Sequence, residues 1–377
     1  MMNVVIKILL VVAIFNQFFI VSETMKVSER GGAIVFESEQ AQLSAQDAKL
    51  LKSCSEGSLH GVKKALSYEN GVKANVEARD PGVGNTPLIW AAFHGHVDIM
   101  EFLLNQGAYI EAISRDGHKT ALLLAAYSGH VDAVLFLIRN GAQIDAANSR
   151  GDTSLAIAAY MNHLEVVKVL MQRRASLLLT THEHKYTPLH LAAYKGHVDV
   201  VEYILESDDD NVLTIINAED KAGNSAFLLA AMQGHKPVLE ALFEHGSCDS
   251  DQVDSLGNTA LILAANKGHL ECVKFFVGHA GFNIDYVNKQ GQTALIRASM
   301  KGLVSTIRYL LMSGANVDII DGQGFTALER AIDLSLSSSL EILTDYYVSS
   351  GRMEDVTAAK DKVRRKREES KPVDVEL

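Results

Sequence analysis

Residues Thr86 to His96 read Thr-Pro-Leu-Ile-Trp-Ala-Ala-Phe-His-Gly-His. The same phrase opens again at Thr187-Pro188-Leu189, with Ala192-Ala193 and Gly196-His197 behind it. Looser copies start at Thr120, Thr153, Ser225, Thr259, Thr293 and Thr326, so successive starts lie 34, 33, 34, 38, 34, 34 and 33 residues apart. A fixed period in this range marks a stacked repeat architecture.

Each copy has a local physical reading. Thr86 and its equivalents suit the N-cap of a helix, with Pro87 and Pro188 tolerated at the first helical position. Leu88, Ala91 and Ala92 share one helical face that is apolar and small, so neighbouring helices can approach closely. Gly95, Gly129, Gly196, Gly234 and Gly268 close the first helix where a left-handed residue is needed, and Asn162 is the usual substitute. A second amphipathic stretch follows, such as Val97 to Leu104, and usually a Gly-Ala turn, as at Gly107-Ala108, Gly141-Ala142 and Gly314-Ala315.

These residues resemble the ankyrin-repeat family, whose T-P-L-H-x-A signature is matched from residue 80 to about 348. The resemblance implies an all-α solenoid of helix-turn-helix units joined by β-turns or hairpins. No unit buries its own face, so stability comes from neighbours and the ends need polar caps. Residues 48–66 read as a degenerate first unit, with Leu50, Leu51, Cys54, Leu59, Val62 and Leu66 for the core and Lys49, Lys52, Lys63 and Lys64 for solvent. At the other end, Glu329 and Arg330 read as an outward charged face, and Ser338 with Glu341 as a capping box. The signature His occurs only at His190; elsewhere the position holds Ile89, Leu123, Ala156, Leu228, Ile262, Ile296 and Glu329. The fourth repeat carries an insertion, Glu206 to Asn211, and its turn, His182-Glu183-His184-Lys185, lacks glycine.

Outside the array, Val4 to Val21 is apolar except at Lys7, Asn16 and Gln17, and Ile8 to Phe15 is uninterrupted. That length suits a signal peptide over residues 1–24, with small residues at Ser22 and Thr24. The expectation is therefore a secreted protein or one in the secretory pathway. The alternatives are a signal anchor, giving a membrane-anchored adaptor, or a cytoplasmic protein starting at Met25. Residues 25–44 read as a linker, 45–348 as the array and 349–377 as a charged tail, a solvated helix fading out, with a basic cluster around Arg364–Arg367.

The net charge is -11, with 35 Lys plus Arg against 46 Asp plus Glu. That balance argues against a nucleic-acid partner, because such affinity rests on neutralising phosphates. Three cysteines, Cys54, Cys248 and Cys272, have no C-x-x-C spacing and do not make a disulfide or zinc framework. Cys272 aligns with core position Ile99 and reads as an inert thiol. There is no phosphate-binding loop, nucleophile elbow or dinucleotide fingerprint. His182 and His184 sit two apart without a third ligand, the Asp208–Asp210 run reads as solvated, and the Gly-His series reads as structural, with imidazoles pairing to backbone groups. No catalytic, cofactor-binding or metal residue is expected, and the chain reads as a monomeric, non-enzymatic interaction module.

One surface carries the binding expectation. The resemblance implies that partners use the concave side, where the residue after Ala-Ala lies: Phe93, Tyr127, Tyr160, Tyr194 and Met232, then Asn266, Met300 and Asp333. The first four are aromatic in succession, as interface hot spots often are. Arg115, Asp116, Arg150, Lys185 and Lys221 at the turn tips complete the expected site for a protein or peptide partner.

Overall fold

A computed structural model describes residues 26–30, 33–37, 43–67 and 72–369. The apolar N-terminal run, and with it the expected signal segment, lies outside the described residues, as does the chain after Glu369. The chain forms two compact units, residues 1–182 and 183–377.

In the first unit, β1 (Lys26–Arg30) and β2 (Ala33–Glu37) pair antiparallel, Lys26 opposite Glu37 and Arg30 opposite Ala33. This hairpin occupies the span that reads as a linker in the sequence. Four helix pairs follow. They are α1 (Ala45–Glu56) with α2 (Leu59–Leu66), α3 (Pro87–Phe93) with α4 (Val97–Asn105), α5 (Ala121–Ser128) with α6 (Val131–Arg139), and α7 (Ser154–Tyr160) with α8 (Leu164–Gln172). The first pair is the degenerate unit, with Leu50, Leu51, Cys54, Val62 and Leu66 buried and the four lysines exposed, while Leu59, expected in the core, is only half-buried at the start of α2.

The capping chemistry is as the sequence requires. The Thr86, Thr120 and Thr153 hydroxyls accept from the N–H groups of Ile89, Leu123 and Ala156 at 3.4, 3.3 and 3.2 Å. Each such cap is worth about 1 kcal/mol. The first helix of each pair stacks on its predecessor, α1 to α3 to α5 to α7, through the fully buried alanine pairs, and the second helices form a parallel row. Between the two rows lie Leu88, Ile89, Ile99, Met100 and Leu103, and their counterparts in later pairs.

The Gly-His steps lock each pair to the one before. Gly57, Gly95 and Gly129 have φ near +75°. A Cβ on them would stand 2.7, 2.7 and 2.6 Å from the rings of His96, His130 and His163. Glycine is thus needed for its conformation and for the imidazole of the next repeat that lies against it. Asn162 takes the same left-handed conformation at φ 63°.

The second unit has five pairs. They are α9 (Pro188–Lys195) with α10 (Val198–Leu205), α12 (Ala226–Gln233) with α13 (Lys236–Glu244), α14 (Ala260–Lys267) with α15 (Leu270–Gly278), α16 (Ala294–Ser299) with α17 (Val304–Met312), and α18 (Ala327–Asp333) with α19 (Ser337–Ser349). The insertion in the fourth repeat, Glu206 to Asn211, leads into a one-turn helix, α11 (Val212–Ile215); Val212, Ile215 and the adjoining Ile216 are buried and Leu213 is exposed.

The C-terminal end corrects three expectations. A long helix, α20 (Met353–Glu369), packs on α18 and α19 and buries Val356, Ala359 and Val363, so the tail's helix is docked rather than solvated. It takes the side of α18 on which a further repeat would stack. Glu329 and Arg330 are consequently only 6% and 7% exposed, instead of forming an outer face. Glu329 closes a capping box with Thr326 and pairs with Lys362 at 2.8 Å, and Arg330 pairs with Asp321 at 2.5 Å. Finally, α19 starts one residue before Ser338 with Leu336 as its N-cap and no side-chain cap bond, so the Ser338–Glu341 box does not form. The basic cluster is partly consumed as well: Lys366 donates to the Gln323 carbonyl and Arg367 to those of Ile332 and Asp333.

Candidate functional site

Backbone hydrogen bonds link the turn tips within each unit. In the first, the carbonyls of Val83, Gly117 and Arg150 accept from the N–H groups of Asp116, Ser149 and His182 at 3.0, 2.9 and 2.8 Å. In the second, His184, Ala222, Leu256 and Gln290 accept from Lys221, Ser255, Lys289 and Gly322 at 2.7 to 3.0 Å. A buried or half-buried side chain shapes each tip from within. Asp80, for example, accepts from the N–H groups of Gly82, Val83 and Asn85 and from the Trp90 indole.

The charged tip residues expected to bind a partner divide into two groups. Asp116 is committed to Lys119 at 2.9 Å and Arg150 to Asp152 at 3.1 Å. Arg115, Lys185 and Lys221 are exposed, with the Arg115 stem lying across Gly84 and Lys185 in the left-handed region at φ 59°. The missing glycine in the turn of the fourth repeat is thus replaced by a lysine in a conformation that favours glycine.

The aromatic residues lie in register at the ends of the first helices. Phe93, Tyr127 and Tyr160 in the first unit, and Tyr194 and Met232 in the second, are all half-buried. Phe93 and Tyr127 stack with centroids 6.4 Å apart and planes 21° from parallel, and Trp90 meets Phe93 edge-on at 5.9 Å. Burial, and then the neighbouring Tyr160, raise the pKa of Tyr127. In the second unit Tyr194 stacks on Tyr186 at 6.2 Å, and Tyr186 on His190 at 5.9 Å. The Tyr186 hydroxyl is pushed up to about 12 by burial, then by Asp220 and Tyr194.

The histidine series and this row are joined. Nε2 of His163, His235 and His269 lies 2.9, 3.1 and 3.0 Å from the carbonyl oxygens of Tyr127, Tyr194 and Met232. A carbonyl only accepts, so Nε2 carries the proton in each. The structural reading of the Gly-His series therefore has a specific content: each of these imidazoles ties its helix start to the preceding row residue.

A second row was missed in the sequence. Trp90, Leu124 and Ile157 stand three positions before Phe93, Tyr127 and Tyr160 on the same helices and are likewise half-buried. The i, i+3 spacing puts both rows on one face and was available to sequence reasoning. Together they make the strip two side chains wide.

Nothing in these surroundings activates a nucleophile. Burial pushes the Cys54 and Cys248 thiols up to about 12 and that of Cys272 to about 11, which keeps them protonated. Among the described residues no group of three or more His, Cys, Asp or Glu could hold a metal ion, and no helix is long and apolar enough to cross a membrane.

The stacked pairs, the threonine caps and the buried Thr187–His190 capping box settle the family, and the family model for ankyrin repeats in three copies matches residues 50–148, 141–215, 212–288 and 276–352. The chain belongs to the ankyrin-repeat family. No curated protein matches its sequence. Ankyrin repeats are generally protein–protein interaction modules and typically non-catalytic scaffolds. The first five full ankyrin repeats of this chain carry the row from Phe93 to Met232, and the last three carry Asn266, Met300 and Asp333 in the same position.

Proposed function

We propose that the chain is a non-catalytic scaffold that binds a protein or peptide partner on the inner-helix face, with the two-wide aromatic and apolar strip of the first unit as its main anchor. The observation that carries this reading is the half-exposure of large rings in register: Phe93, Tyr127 and Tyr160 beside Trp90, Leu124 and Ile157. Rings held this way offer much area at a small entropic cost, because the helix already restricts them. Tyr194 and Met232 extend the same position in the second unit, and Arg115, Lys185 and Lys221 supply exposed charge at the tips. The acidic balance of the chain favours a partner of basic or amphipathic character.

Replacing Tyr127 and Tyr160 together by alanine tests the reading, with affinity and stability measured on the same protein. Loss of affinity per folded molecule supports it, and unchanged affinity contradicts it.

We also propose entry into the secretory pathway with removal of residues 1 to about 24, on the strength of the short apolar run from Ile8 to Phe15. N-terminal sequencing of the mature protein decides this. A start near Met25 after processing agrees with it, and an intact Met1 on membrane-extracted material favours the anchor.

A further inference from the structure

The residue three before the row position is Leu191, Leu229 and Leu263 in three successive repeats, then Arg297 and Arg330. The two arginines occupy equivalent places in neighbouring repeats, yet only one is neutralised. Arg330 donates from Nε to Asp321 at 2.5 Å and from Nη2 to Gln323 at 2.7 Å, and Asp333 lies 3.6 Å from its Nη1. Arg297 makes one hydrogen bond, from Nη1 to Gln292 at 3.1 Å, and its Nε is buried without a partner.

The difference traces to three residues. Asp321 uses Oδ1 to accept from the Gln323 and Phe325 N–H groups, leaving Oδ2 for Arg330. Its counterpart Asn288 uses Oδ1 in the same way, for Gln290 and Gln292. The second atom of Asn288 is an amide nitrogen, which donates to Asn258 at 2.7 Å and offers an arginine nothing. In the place of Asp333 the seventh repeat has Met300, and Gln292 also replaces Phe325, whose ring underlies the Arg330 guanidinium at 4.6 Å. The carboxylate that acts most on Arg297 is Asp254, already engaged by the N–H groups of Leu256 and Asn258 and by the Asn258 amide.

We infer that Arg297 is an anion-recognition point on the inner face of the second unit, and that its half-buried guanidinium takes the side-chain carboxylate of an Asp or Glu in a bound peptide. The last repeat shows which group completes an arginine in this setting: a carboxylate, held through charge-assisted hydrogen bonds. Burial without such a partner disfavours the charged guanidinium, and its pKa is lowered accordingly. Met300 and Leu263 provide the apolar surroundings in which an ion pair gains strength over water. The inference rests on the inner face being a peptide-binding surface, and it adds the chemistry that the peptide must bring.

The test uses the full chain and two displayed libraries of random twelve-residue peptides, one encoding all residues and one lacking Asp and Glu. Binders from the complete library are expected to lose at least ~10-fold in affinity when one particular Asp or Glu becomes its amide, and to lose nothing further on R297Q. R297L places the leucine of the three earlier repeats at this position and should melt at the same temperature or higher. Acid-free binders of equal affinity, acid-dependent binders indifferent to R297Q, or a large fall in the melting temperature of R297L would each overturn the inference. If binders ignore Arg297 but still need Tyr127 and Tyr160, the inner face remains the binding surface and only the carboxylate assignment fails. Binders sensitive to neither region overturn both.

Discussion

Nε2 of His163 donates to the carbonyl oxygen of Tyr127, 2.9 Å away, while the same ring lies against Gly129 of the preceding repeat. One side chain at a helix start therefore fixes the spacing between two repeats and restrains the backbone of a proposed contact residue. His163→Ala removes the bond and opens a gap beside Gly129. The expected cost is about 1–2 kcal/mol, read as a lower urea midpoint with an unchanged slope. A variant within experimental error of the parent would show that the imidazole is incidental to repeat stacking.

Acid should weaken the fold through neutral histidines. Burial lowers the pKa of His190, whose Nε2 donates to the carbonyls of Ala218 and Asn224, and burial is also the first cause for His94 and His235. With the folded-state value below the unfolded value near ~6.5, the unfolded chain binds more protons in the window between them. The stabilising contribution is therefore complete above that unfolded value and is lost as the pH falls through the window. Unfolding free energies measured from pH 7.5 down to 5 should decline, and His190→Gln should reduce the slope. A flat profile would contradict the assignment.

The docked C-terminal helix should behave as part of the array. Val363 is buried where α20 meets the last repeat, and Lys362 is paired with Glu329. Val363→Asp places a charge in that contact and should cost ~2 kcal/mol or more. In a repeat array the loss should be local, so amide exchange should accelerate first in α18 and α19. Uniform exchange across α9 to α19 would show that α20 has no specific capping role.

Much of the fold was legible because the repeat is written in residues with single physical uses. Threonine caps, paired alanines and left-handed glycines each announce a local geometry, and their period places them in a stack. The C-terminal end was misread for the opposite reason. Glu329 and Arg330 look like surface residues in isolation, and only α20, a helix whose three buried apolar residues are spread among many charges, turns them into a buried ion network. The same limit applies to the site. The row from Phe93 to Met232 follows from alignment alone, whereas the contrast between Arg297 and Arg330 depends on which side-chain atom of Asn288 or Asp321 is left over after the tip is built. The half-burial of the rings is also a structural result, since alignment gives their place in the repeat and not their depth.

The most direct test of the proposed function is the affinity of library-selected peptides for the Tyr127→Ala/Tyr160→Ala protein, corrected for its folded fraction from a thermal melt of the same sample. Half-burial of the rings implies some loss of stability, on the order of 1–2 kcal/mol per residue, about half that of a fully buried aromatic. The account predicts that affinity per folded molecule falls by ~30-fold or more, the equivalent of about 2 kcal/mol, as expected when a hot spot is removed. A melting temperature that drops while affinity per folded molecule stays unchanged would contradict it, and would make the rings part of the packing rather than of the binding surface.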